Sequence, residues 1–549
     1  MSQQKLASDS NLFVRKATGL VRSWSVFDAF IYATFSINLV TLGLYIFSQM
    51  FFLKGGLIPT LLVSAAFIFF ETIVYASLIA VMPRSGGDYV WQSRILGGGL
   101  GFVLSITGWW FILWLWVPLY SDMFRHIFIT PTLAILGFKD AALWFGQTPM
   151  GLFVTAILVC AIVSGFIAMG MKTYARIQRY CFFGGMVGLV IVFALLAFNT
   201  PETFRAGLER EAPGMLGTTP GVYDATIAAG QAAGAEAPLS GGSFSAIFMA
   251  LPFIVFFNLW PNWGSTLYGE VRGATDFKRN LWGMASALII TTVLAIVFLL
   301  LINKTITWDF YMKANAAWWS SIWGTSTQAA PLPIWPYPAL LVAFISPSRV
   351  FQLLVVLLMS LWWFGWSGTV FLSSTRVIFA ASFDRLLPEK VSEVNPRTHT
   401  PVIALALMVI PSIIVSALFA WNVFSFQSLT LDSTLVIAVT YLGSTIAAIL
   451  LPYKKPDLYN ASPIAKFKIF GFPLISVSGV IFGGFLVYLL YAWLIDPEGL
   501  YGIGLKNTSS IIFIAALYLF AFAVYMGFKM YRKSIGIDID KVHQEIPVE

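Results

Sequence analysis

Two asparagines flank a proline within a long apolar segment near the middle of the chain. The segment covers residues 244–270, and Trp260, Pro261 and Asn262 interrupt its apolar run. Proline removes a backbone donor, and backbone groups freed in lipid must be satisfied within the protein, so broken helices line cavities where solutes bind. The amides of Asn258 and Asn262 both donate and accept, which suits a zwitterion or a neutral polar solute. The alternative is a plain proline kink whose freed groups these amides satisfy.

Polar and aromatic side chains at the same depth could also act on a solute. Asn38 lies in the first apolar segment, where it either lines a site or makes a hydrogen bond between helices. Glu71 lies near the middle of the second segment, with no partner close in sequence. Burial without a cation would favour its protonated form, which makes it a candidate to carry a coupling proton. Trp260 and Trp263 could form a cage for an ammonium group, or they could simply pack in the bundle.

No residue pattern predicts catalysis, a metal site or a cofactor. His126, His399 and His543 are scattered without ligand spacing, and both cysteines, Cys160 and Cys181, fall in apolar stretches. Two such cysteines are expected to pack rather than to form a disulfide framework. Neither a nucleophile elbow nor a phosphate-binding loop is found in the sequence. We therefore expect a protein that is not an enzyme and that uses no cofactor and no metal.

The composition predicts a polytopic membrane protein. Of the 549 residues, 58% are hydrophobic and 11% are charged, and the mean hydropathy is +0.82, whereas soluble chains carry about a quarter charged residues. The net charge of +8 does not predict a nucleic-acid partner, because the chain has no basic block and no soluble domain with a basic face. We expect one transmembrane domain, residues 1–549, surrounded by a lipid bilayer.

Twelve apolar segments are long enough to span a membrane, since a spanning helix needs about 20 residues. If helices 1–5 and helices 6–10 form inverted repeats, about 25–200 and 244–451, helix 1 is also expected to be broken, and Gly43 marks the place. The remaining two helices, about 471–531, would be accessory. The predicted bounds are 25–53, 57–82, 99–128, 148–170, 180–200, 244–270, 281–303, 350–382, 400–420, 428–451, 471–495 and 509–531.

The distribution of Lys and Arg predicts the orientation. With both termini placed inside, 24 of the 33 basic residues lie nearer the inner face, so the positive-inside rule puts both termini in the cytoplasm of a cell whose cytoplasmic membrane holds the chain. The long loops 201–243 and 304–349 are then extracytoplasmic, and the first is expected to be irregular. The tryptophans of the second form either an interfacial aromatic belt or a lid over an outer vestibule. They are Trp308, Trp318, Trp319, Trp323 and Trp335.

Three predicted cytoplasmic loops carry distinct motifs. They read PRSGGDY from Pro83, GMKTYARIQ from Gly170 and SSTRVIFAASFDRLLPEKVSEVNPRTHTPV from Ser373. In this order they resemble the amino acid–polyamine–organocation transporter superfamily over roughly residues 20–450. The resemblance implies an all-α, LeuT-type fold, a 5+5 inverted repeat with two additional C-terminal helices. Members of the superfamily exchange or symport amino acids and related amines.

The resemblance also implies where a solute binds. Amides at a break in helix 1 hold the substrate carboxylate, and carbonyls freed in helix 6 hold its amine. The hydroxyls of Ser373 and Ser374 match those that join helix 1 carbonyls around a cation in sodium-coupled relatives, although serines often bond back to their own helix. Carried over, the substrate positions are Thr41, Leu42 and Gly43, reached through Ser36 and Asn38, and Phe256, Phe257, Asn258, Leu259 and Trp260, with Asn262 beside them.

Several positions depart from the family pattern. Thr41 and Leu42 replace a glycine and a small residue, which makes close approach of the backbone to a ligand harder. Trp260 stands where the family usually has glycine. The frequent helix 5 lysine, which serves cation or proton coupling in members that have it, falls at Gly185. The usual helix 2 glutamate falls at Ser77.

The sequence therefore predicts a secondary active transporter that moves an amino acid or related amine by alternating access. Coupling could be to protons, to sodium or to a counter-substrate. One alternative is a non-transporting sensor or structural partner with the same fold, whose binding site Thr41, Leu42 and Trp260 have filled. The other is a transporter of a non-amino-acid solute, such as a nucleobase or an organic cation.

Overall fold

The computed structural model describes residues 20 and 22–546, which form a bundle of helices. Within these residues, twelve helices are long and apolar enough to span a membrane, and we number them 1–12 in chain order. Most ends lie within a few residues of the predicted ones. The helices are Val26–Ser48, Leu57–Val81, Gly98–Ile135, Pro149–Ala168, Met171–Phe198, Phe244–Glu270, Phe277–Thr305, Arg349–Phe383, Val402–Ala420, Val423–Lys454, Leu474–Ile495 and Thr508–Ser534.

Helix 5 begins at Met171, well before the predicted residue 180. The prediction followed the apolar run, but the basic first turns around Lys172 and Arg176 are helical as well. Basic side chains can extend from a helix end towards water while their apolar stems stay packed. Arg179 instead binds the Asp28 carboxylate of helix 1 through two nitrogens, at 2.6 and 2.8 Å.

Helix 1 is broken at Asn38, just before the predicted position at Thr41–Gly43. An α-helix covers Val26–Ile37, Asn38 is left-handed with φ 46° and ψ 81°, and a π-helical turn follows at Leu39–Gly43 before the α-helix Leu44–Ser48. Asparagine tolerates this conformation better than other residues with a side chain, apart from aspartate. Gly43 itself has ordinary helical angles, so the break is made by the asparagine.

Helix 6 is broken where the sequence predicts. Its α-helical half ends at Asn258, residues 259–262 leave the helix, and a 3-10 helix covers Trp263–Glu270. Helix 6 packs on helix 2 and on helix 1, and helix 1 also packs on helices 5, 7 and 8. Because the first helix of each five-helix half is broken, the bundle has the predicted 5+5 inverted-repeat architecture. Helices 11 and 12 are the two additional helices.

Two scaffold helices also deviate beside the breaks. Helix 3 contains a π-helical turn at Thr107–Phe111 and a 3-10 turn at Ile112–Trp114. A turn at residues 367–368 interrupts helix 8 between its α-helices Arg349–Trp366 and Thr369–Phe383. Such turns free backbone carbonyls and are frequent at functional sites. The carbonyl of Thr369 accepts hydrogen bonds from helices 1 and 6, from Tyr32 and Trp263.

The prediction that residues 201–243 form an irregular loop is wrong, because this segment contains two helices. Pro201–Leu216 is capped by Thr200 with proline in its first turn, and it ends at Gly217, which has φ 70°. Val222–Ala232 follows. Gly, Ala and Pro suggested a loop, but alanine favours helix and proline is favourable at a helix start. The other shorter elements include the helices Asp88–Ile95, Lys139–Gln147, Trp308–Ile322, Pro338–Ala343, Pro456–Asn460 and Ile539–Val542, and the antiparallel strands Lys468–Ile469 and Phe472–Pro473.

Candidate functional site

Asn38, which breaks helix 1, also forms hydrogen bonds with the backbone groups at the break. Asn38 Oδ1 accepts from the Thr41 amide at 3.0 Å, and the Asn38 carbonyl accepts from the amides of Leu42 and Gly43 at 3.1 and 2.9 Å. Asn38 Nδ2 donates to the carbonyl of Trp362 in helix 8 at 3.1 Å. The three amides predicted to hold a carboxylate are thus engaged by Asn38, and a solute could reach them only after this turn rearranges.

Gly43 lies against helix 6. A Cβ atom at this position would lie 2.9 Å from the ring of Phe257, so glycine allows the two broken helices to approach closely. The same ring meets Phe47 edge-on, with centroids 5.1 Å apart. The structure thus brings predicted residues of helix 1 and helix 6 together here through apolar packing, with Leu42 fully buried nearby.

Trp260 fills the break in helix 6. Its indole N–H donates to the Phe256 carbonyl at 2.7 Å, the carbonyl whose helical partner would be the backbone N–H of the same tryptophan. The ring is 1% exposed and meets Trp116 and Trp263 edge-on, with centroids 5.3 and 5.2 Å away. The tryptophan side chain therefore occupies the place where the sequence predicts the amine of a solute.

Rings from helices 3, 6 and 10 form a buried aromatic cluster around this break. Trp116 stacks on Phe256 with centroids 5.2 Å apart, and Trp109 contacts Trp263 at 4.6 Å. The sequence analysis missed Trp116 and Tyr441, because an aromatic residue in an apolar helix gives the same signal whether it faces lipid, core or a site. The members of the aromatic cluster are Trp109, Trp116, Phe256, Trp260, Trp263 and Tyr441, and all are buried.

The two asparagine amides at the break are only partly paired. Ser64 Oγ of helix 2 donates to Asn258 Oδ1 at 2.8 Å, but Asn258 Nδ2 has no partner among the described residues. Asn262 is fully buried, and neither of its side-chain polar atoms has a hydrogen-bond partner within the described part of the chain. Unpaired buried amides are uncommon in native proteins and call for a specific explanation. A polar solute that bonds to them would provide one.

The predicted hydroxyls of helices 1 and 8 differ in their hydrogen bonds. Ser36 Oγ donates to the Tyr32 carbonyl of its own helix at 2.8 Å. Ser373 Oγ donates to the Trp263 carbonyl at 3.1 Å and shares a hydrogen bond with the Tyr32 hydroxyl at 2.9 Å. Ser374 Oγ is buried without a partner among the residues that the structure describes. Ser373 therefore joins helices 1, 6 and 8, and a sodium role for the two serines stays a prediction.

The positions of the family lysine and glutamate are filled by neutral groups. Gly185 in helix 5 faces Trp362, whose indole N–H donates to the Gly185 carbonyl at 3.0 Å. A Cβ atom at Gly185 would lie 2.9 Å from that ring. Ser77 donates to the Ile73 carbonyl of its own helix at 2.7 Å. Any coupling to a cation or proton must therefore use other groups.

Glu71 lies close to the break on the helix 2 face that carries Ser64. It is fully buried, and neither carboxylate oxygen has a hydrogen-bond partner among the described residues. Ser64 and Glu71 are two helical turns apart, so they share one face of the helix. Helix 2 thus presents a hydroxyl to Asn258 and an acid deeper in the bundle.

Buried ion pairs seal the predicted cytoplasmic side. Glu270, at the end of helix 6, binds Arg376 of helix 8 through both carboxylate oxygens, at 2.6 and 3.2 Å. Asp384 binds Arg94 in the same way, at 2.5 and 2.9 Å, and accepts from the Tyr89 hydroxyl at 2.8 Å. Bidentate pairs of this kind are strong and directional. They hold helix 6 and the linker helix Asp88–Ile95 against helix 8.

Aromatic side chains seal the opposite side. Trp319 Nε1 donates to Ser48 Oγ at 2.9 Å, and the ring meets Tyr45 of helix 1 edge-on at 5.2 Å. Trp335 contacts Tyr45 at 5.6 Å. These contacts support the lid and not the belt for most of the loop tryptophans. Trp318, Trp319 and Trp335 are buried, Trp308 is partly buried and Trp323 is exposed.

The comparison with protein families covers almost the whole bundle. A family model described as "Amino acid permease" matches residues 25–522. This range includes both breaks, the aromatic cluster and the residues of both seals. No curated protein matches the chain.

Proposed function

We propose a transport function for this chain, which belongs to the amino acid permease family. It is a multi-pass membrane transporter, and the finer proposal is secondary active transport of an amino acid or related amine by alternating access. The observation that carries this proposal is the break in helix 6. There, Asn258 Nδ2 and both side-chain polar atoms of Asn262 lack partners among the described residues, and an indole covers the Phe256 carbonyl.

The chemistry of the break fits a solute with both a donor and an acceptor. An ammonium group donates a stronger hydrogen bond than a neutral indole N–H, so it could displace Trp260 from the Phe256 carbonyl. The displaced ring and its aromatic neighbours would offer apolar and cation–π surface. The free Nδ2 groups of Asn258 and Asn262 could donate to the carboxylate or carbonyl end of the same solute.

Alternating access would use the two seals in turn. In this structure both are closed, because the aromatic lid contacts Tyr45 and the Glu270–Arg376 pair is intact. Helices 1, 2, 6 and 7 would rock against a scaffold of helices 3, 4, 8 and 9. Opening towards the predicted cytoplasm would then separate Glu270 from Arg376, and opening outwards would lift Trp319 from helix 1.

The orientation, the membrane and the coupling ion are also proposals. The basic residues concentrate on the face that carries the buried ion pairs, which supports cytoplasmic termini in a cytoplasmic membrane. Glu71 is the candidate for proton coupling, and Ser373 with Ser374 is the candidate for sodium. No enzymatic activity, cofactor or metal is proposed.

Uptake into proteoliposomes tests the proposal. Purified protein would be reconstituted and offered a panel of labelled amino acids and amines, with and without a sodium gradient and a pH gradient. Protein-free liposomes are the control, and a thermal-shift screen with the same compounds reports binding apart from transport. Accumulation of one class above the control supports the proposal. Binding of a panel compound without any uptake would contradict it.

A second candidate function is favoured by the filled break. Trp260 and Trp116 take up the space beside the Phe256 carbonyl, as expected for a non-transporting sensor or structural partner with the same fold. That candidate predicts neither uptake nor a thermal shift with any amino acid or amine. Nucleobases and quaternary ammonium compounds in the panel test the remaining alternative, a transporter of a non-amino-acid solute.

A further inference from the structure

Two buried acids lie next to each other between helices 2 and 10. Glu71 is in the middle of helix 2, and Asp88 is the first residue of the linker helix Asp88–Ile95. Both are fully buried. Tyr75, one turn after Glu71 on the same helix face, donates its hydroxyl to Asp88 Oδ1 at 2.7 Å. Helix 2 therefore bonds to Asp88 from the face that also carries Glu71, whose own carboxyl group has no hydrogen-bond partner among the described residues.

Asp88 is bonded to hydroxyl groups from three helices. Besides Tyr75, Ser444 of helix 10 donates to Oδ1 at 2.6 Å, and Ser265 of helix 6 donates to Oδ2 at 3.3 Å. Hydroxyls stabilise a buried carboxylate less than a cation does. Burial raises the pKa of the Asp88 carboxyl, although the hydrogen bonds from Ser444, Tyr75 and Ser265 partly offset the effect.

No cation is available to either acid in the described part of the chain. Arg94, on the same linker helix as Asp88, binds Asp384, and Arg376 of helix 8 binds Glu270. No ion pair among the described residues includes Glu71 or Asp88. The helices packed on helix 2 carry charges only near their ends. These charges are Glu270 on helix 6, Lys278, Arg279 and Lys304 on helix 7, Asp432 and Lys454 on helix 10, and Lys466 at the end of the 3-10 helix Pro463–Lys466, whereas helix 11 carries none.

Two adjacent carboxylates without a counter-charge cannot both stay ionised in such surroundings. Each buried charge pays a desolvation penalty, and two like charges repel each other. Glu71 has no hydrogen-bond donor to offset the penalty, whereas Asp88 has three. The titratable groups that face the two acids are the tyrosines Tyr75 and Tyr441, which are uncharged near neutral pH. We therefore expect one of the two acids to stay protonated in the closed conformation.

Tyr441 connects the two acids to the candidate solute site. Its ring lies 5.5 Å from that of Tyr75 and 6.5 Å from that of Trp260. Its hydroxyl faces the Asn262 side chain without forming a well-aligned hydrogen bond. The residues around the solute site and the two acids are thus in contact through one side chain of helix 10.

We propose that Glu71 and Asp88 form a proton-binding site that couples solute movement to the proton gradient, in place of the family lysine that is absent at Gly185. The proposal rests on the transport function proposed above. On release, the O–H bond of the carboxylic acid breaks, its electron pair stays on the carboxylate oxygen, and the proton passes to water on the side that is open. Rebinding from the other side reverses the step.

The pH dependence of stability tests the proton site without any solute. Unfolded acids titrate near pH 4, so a folded protein that keeps a proton on Glu71 or Asp88 loses stability as pH rises above that range. In detergent, we expect the melting temperature of Glu71→Gln to exceed that of the wild type at neutral and alkaline pH, with a shallower dependence on pH. Asp88→Asn should flatten the dependence as well. Wild-type pH profiles for both variants would overturn the proposal.

A matched control is available at Asp496. This buried acid accepts hydrogen bonds from the backbone N–H groups of Leu500, Tyr501 and Gly502 on its two oxygens, and an asparagine would turn one of these acceptors into a donor that faces N–H groups. Asp496→Asn should therefore lower the melting temperature at neutral pH, the opposite of Glu71→Gln. An increase for Asp496→Asn as large as that for Glu71→Gln would show a general effect of removing acids and would overturn the assignment.

Transport separates failure of the proton site from failure of the proposed function. With a compound that the wild type accumulates under a pH gradient, Glu71→Gln should lose at least tenfold in gradient-driven accumulation. It should keep counterflow exchange, which needs no net proton movement. Accumulation by the variant that still follows the pH gradient, or wild-type accumulation driven by sodium alone, would overturn the proton site while the transport function stands. If the wild type moves none of the compounds, the stability profiles still decide whether the acids hold a proton.

Discussion

The two broken helices satisfy their backbones in different ways. In helix 1, Asn38 uses both polar atoms of its side chain, one on the Thr41 amide and one on the Trp362 carbonyl. In helix 6, an indole covers the Phe256 carbonyl, and the Asn262 amide has no protein partner among the described residues. The helix 1 break is a complete hydrogen-bonded turn, whereas the helix 6 break is covered but not complete.

This difference separates a structural break from a ligand-binding one. When all polar groups at a break are hydrogen-bonded, removing the side chain that bonds to them lowers the stability of the protein, and a ligand adds no stability. An incompletely bonded break tolerates loss of its unpaired group and gains from a ligand that pairs with it. The following substitutions test this contrast, in order of decreasing expected effect on stability.

Trp260→Ala should have the largest effect. Removing a buried aromatic ring leaves a cavity and lowers the free energy of unfolding by about 3–5 kcal/mol. Trp260→Phe keeps most of the ring and loses only the bond to the Phe256 carbonyl, so its loss should be about 1 kcal/mol. Denaturant titration in detergent measures both. The matched control is Trp110→Phe, which removes an indole bond to the Leu407 carbonyl of helix 9 and none to helix 6.

The same variants test whether a solute amine can replace the Trp260 indole at the Phe256 carbonyl. If the indole stands in for a solute amine, Trp260→Phe frees the carbonyl and should strengthen binding of an amine in the thermal-shift screen, whereas Trp110→Phe should not. Equal or weaker amine binding by Trp260→Phe would contradict the idea that the indole occupies the position of a solute amine.

Asn38→Ala should have the next largest effect. It removes two buried hydrogen bonds and places alanine in a left-handed conformation, which together should lower the free energy of unfolding by about 2–4 kcal/mol. Asn38→Gly loses the same bonds but keeps the backbone freedom. The difference between the two variants therefore isolates the conformational contribution. If Asn38→Ala were as stable as the wild type, the helix 1 break would not be structural.

Ser64→Ala should have a smaller effect. It removes the hydroxyl that donates to Asn258 Oδ1 and leaves that oxygen unpaired, at an expected loss of about 1 kcal/mol. The nearby Thr60 hydroxyl bonds only to a carbonyl of its own helix, that of Gly56, so Thr60→Val is a suitable control with a smaller loss. Equal losses in the two variants would contradict the contact between helices 2 and 6.

Asn262→Ala should have the smallest effect on stability and a large one on binding. Its side chain makes no hydrogen bond within the described residues, so the free energy of unfolding should change by less than about 1 kcal/mol. Any thermal shift caused by a transported compound should be lost or greatly reduced. A strongly destabilised Asn262→Ala variant would place helix 6 in the same structural class as helix 1.

The spans and the helix 6 break could be predicted because each leaves a local signal. A run of apolar residues marks a span, and Pro261 inside such a run marks a break. The helix 1 break was placed too late because the prediction looked for glycine, although asparagine also adopts the left-handed conformation. An asparagine in an apolar segment was thus a signal for the break as well as for a polar site.

The rest of the site depends on contacts between distant segments. Trp116 and Tyr441 reach the break from helices 3 and 10, and nothing in their own segments distinguishes them from aromatic residues that face lipid. The bond from Tyr75 to Asp88, which brings Asp88 to the helix 2 face of Glu71, likewise depends on how the linker helix folds back on helix 2. The sequence alone does not show how far apart such groups lie in the folded protein.

The indole bond across the helix 6 break also affects how fast the carrier can return to the other side of the membrane without a solute. A buried carbonyl that loses its partner costs free energy, so an unpaired carbonyl at the break would slow the return of an unloaded carrier. The Trp260 indole can pair with the Phe256 carbonyl in place of a solute, so we expect a fast return of the unloaded form. We expect net flux rather than one-for-one exchange. Uptake into vesicles that contain no solute should then match uptake into preloaded vesicles, and a strong stimulation by preloading would contradict this expectation.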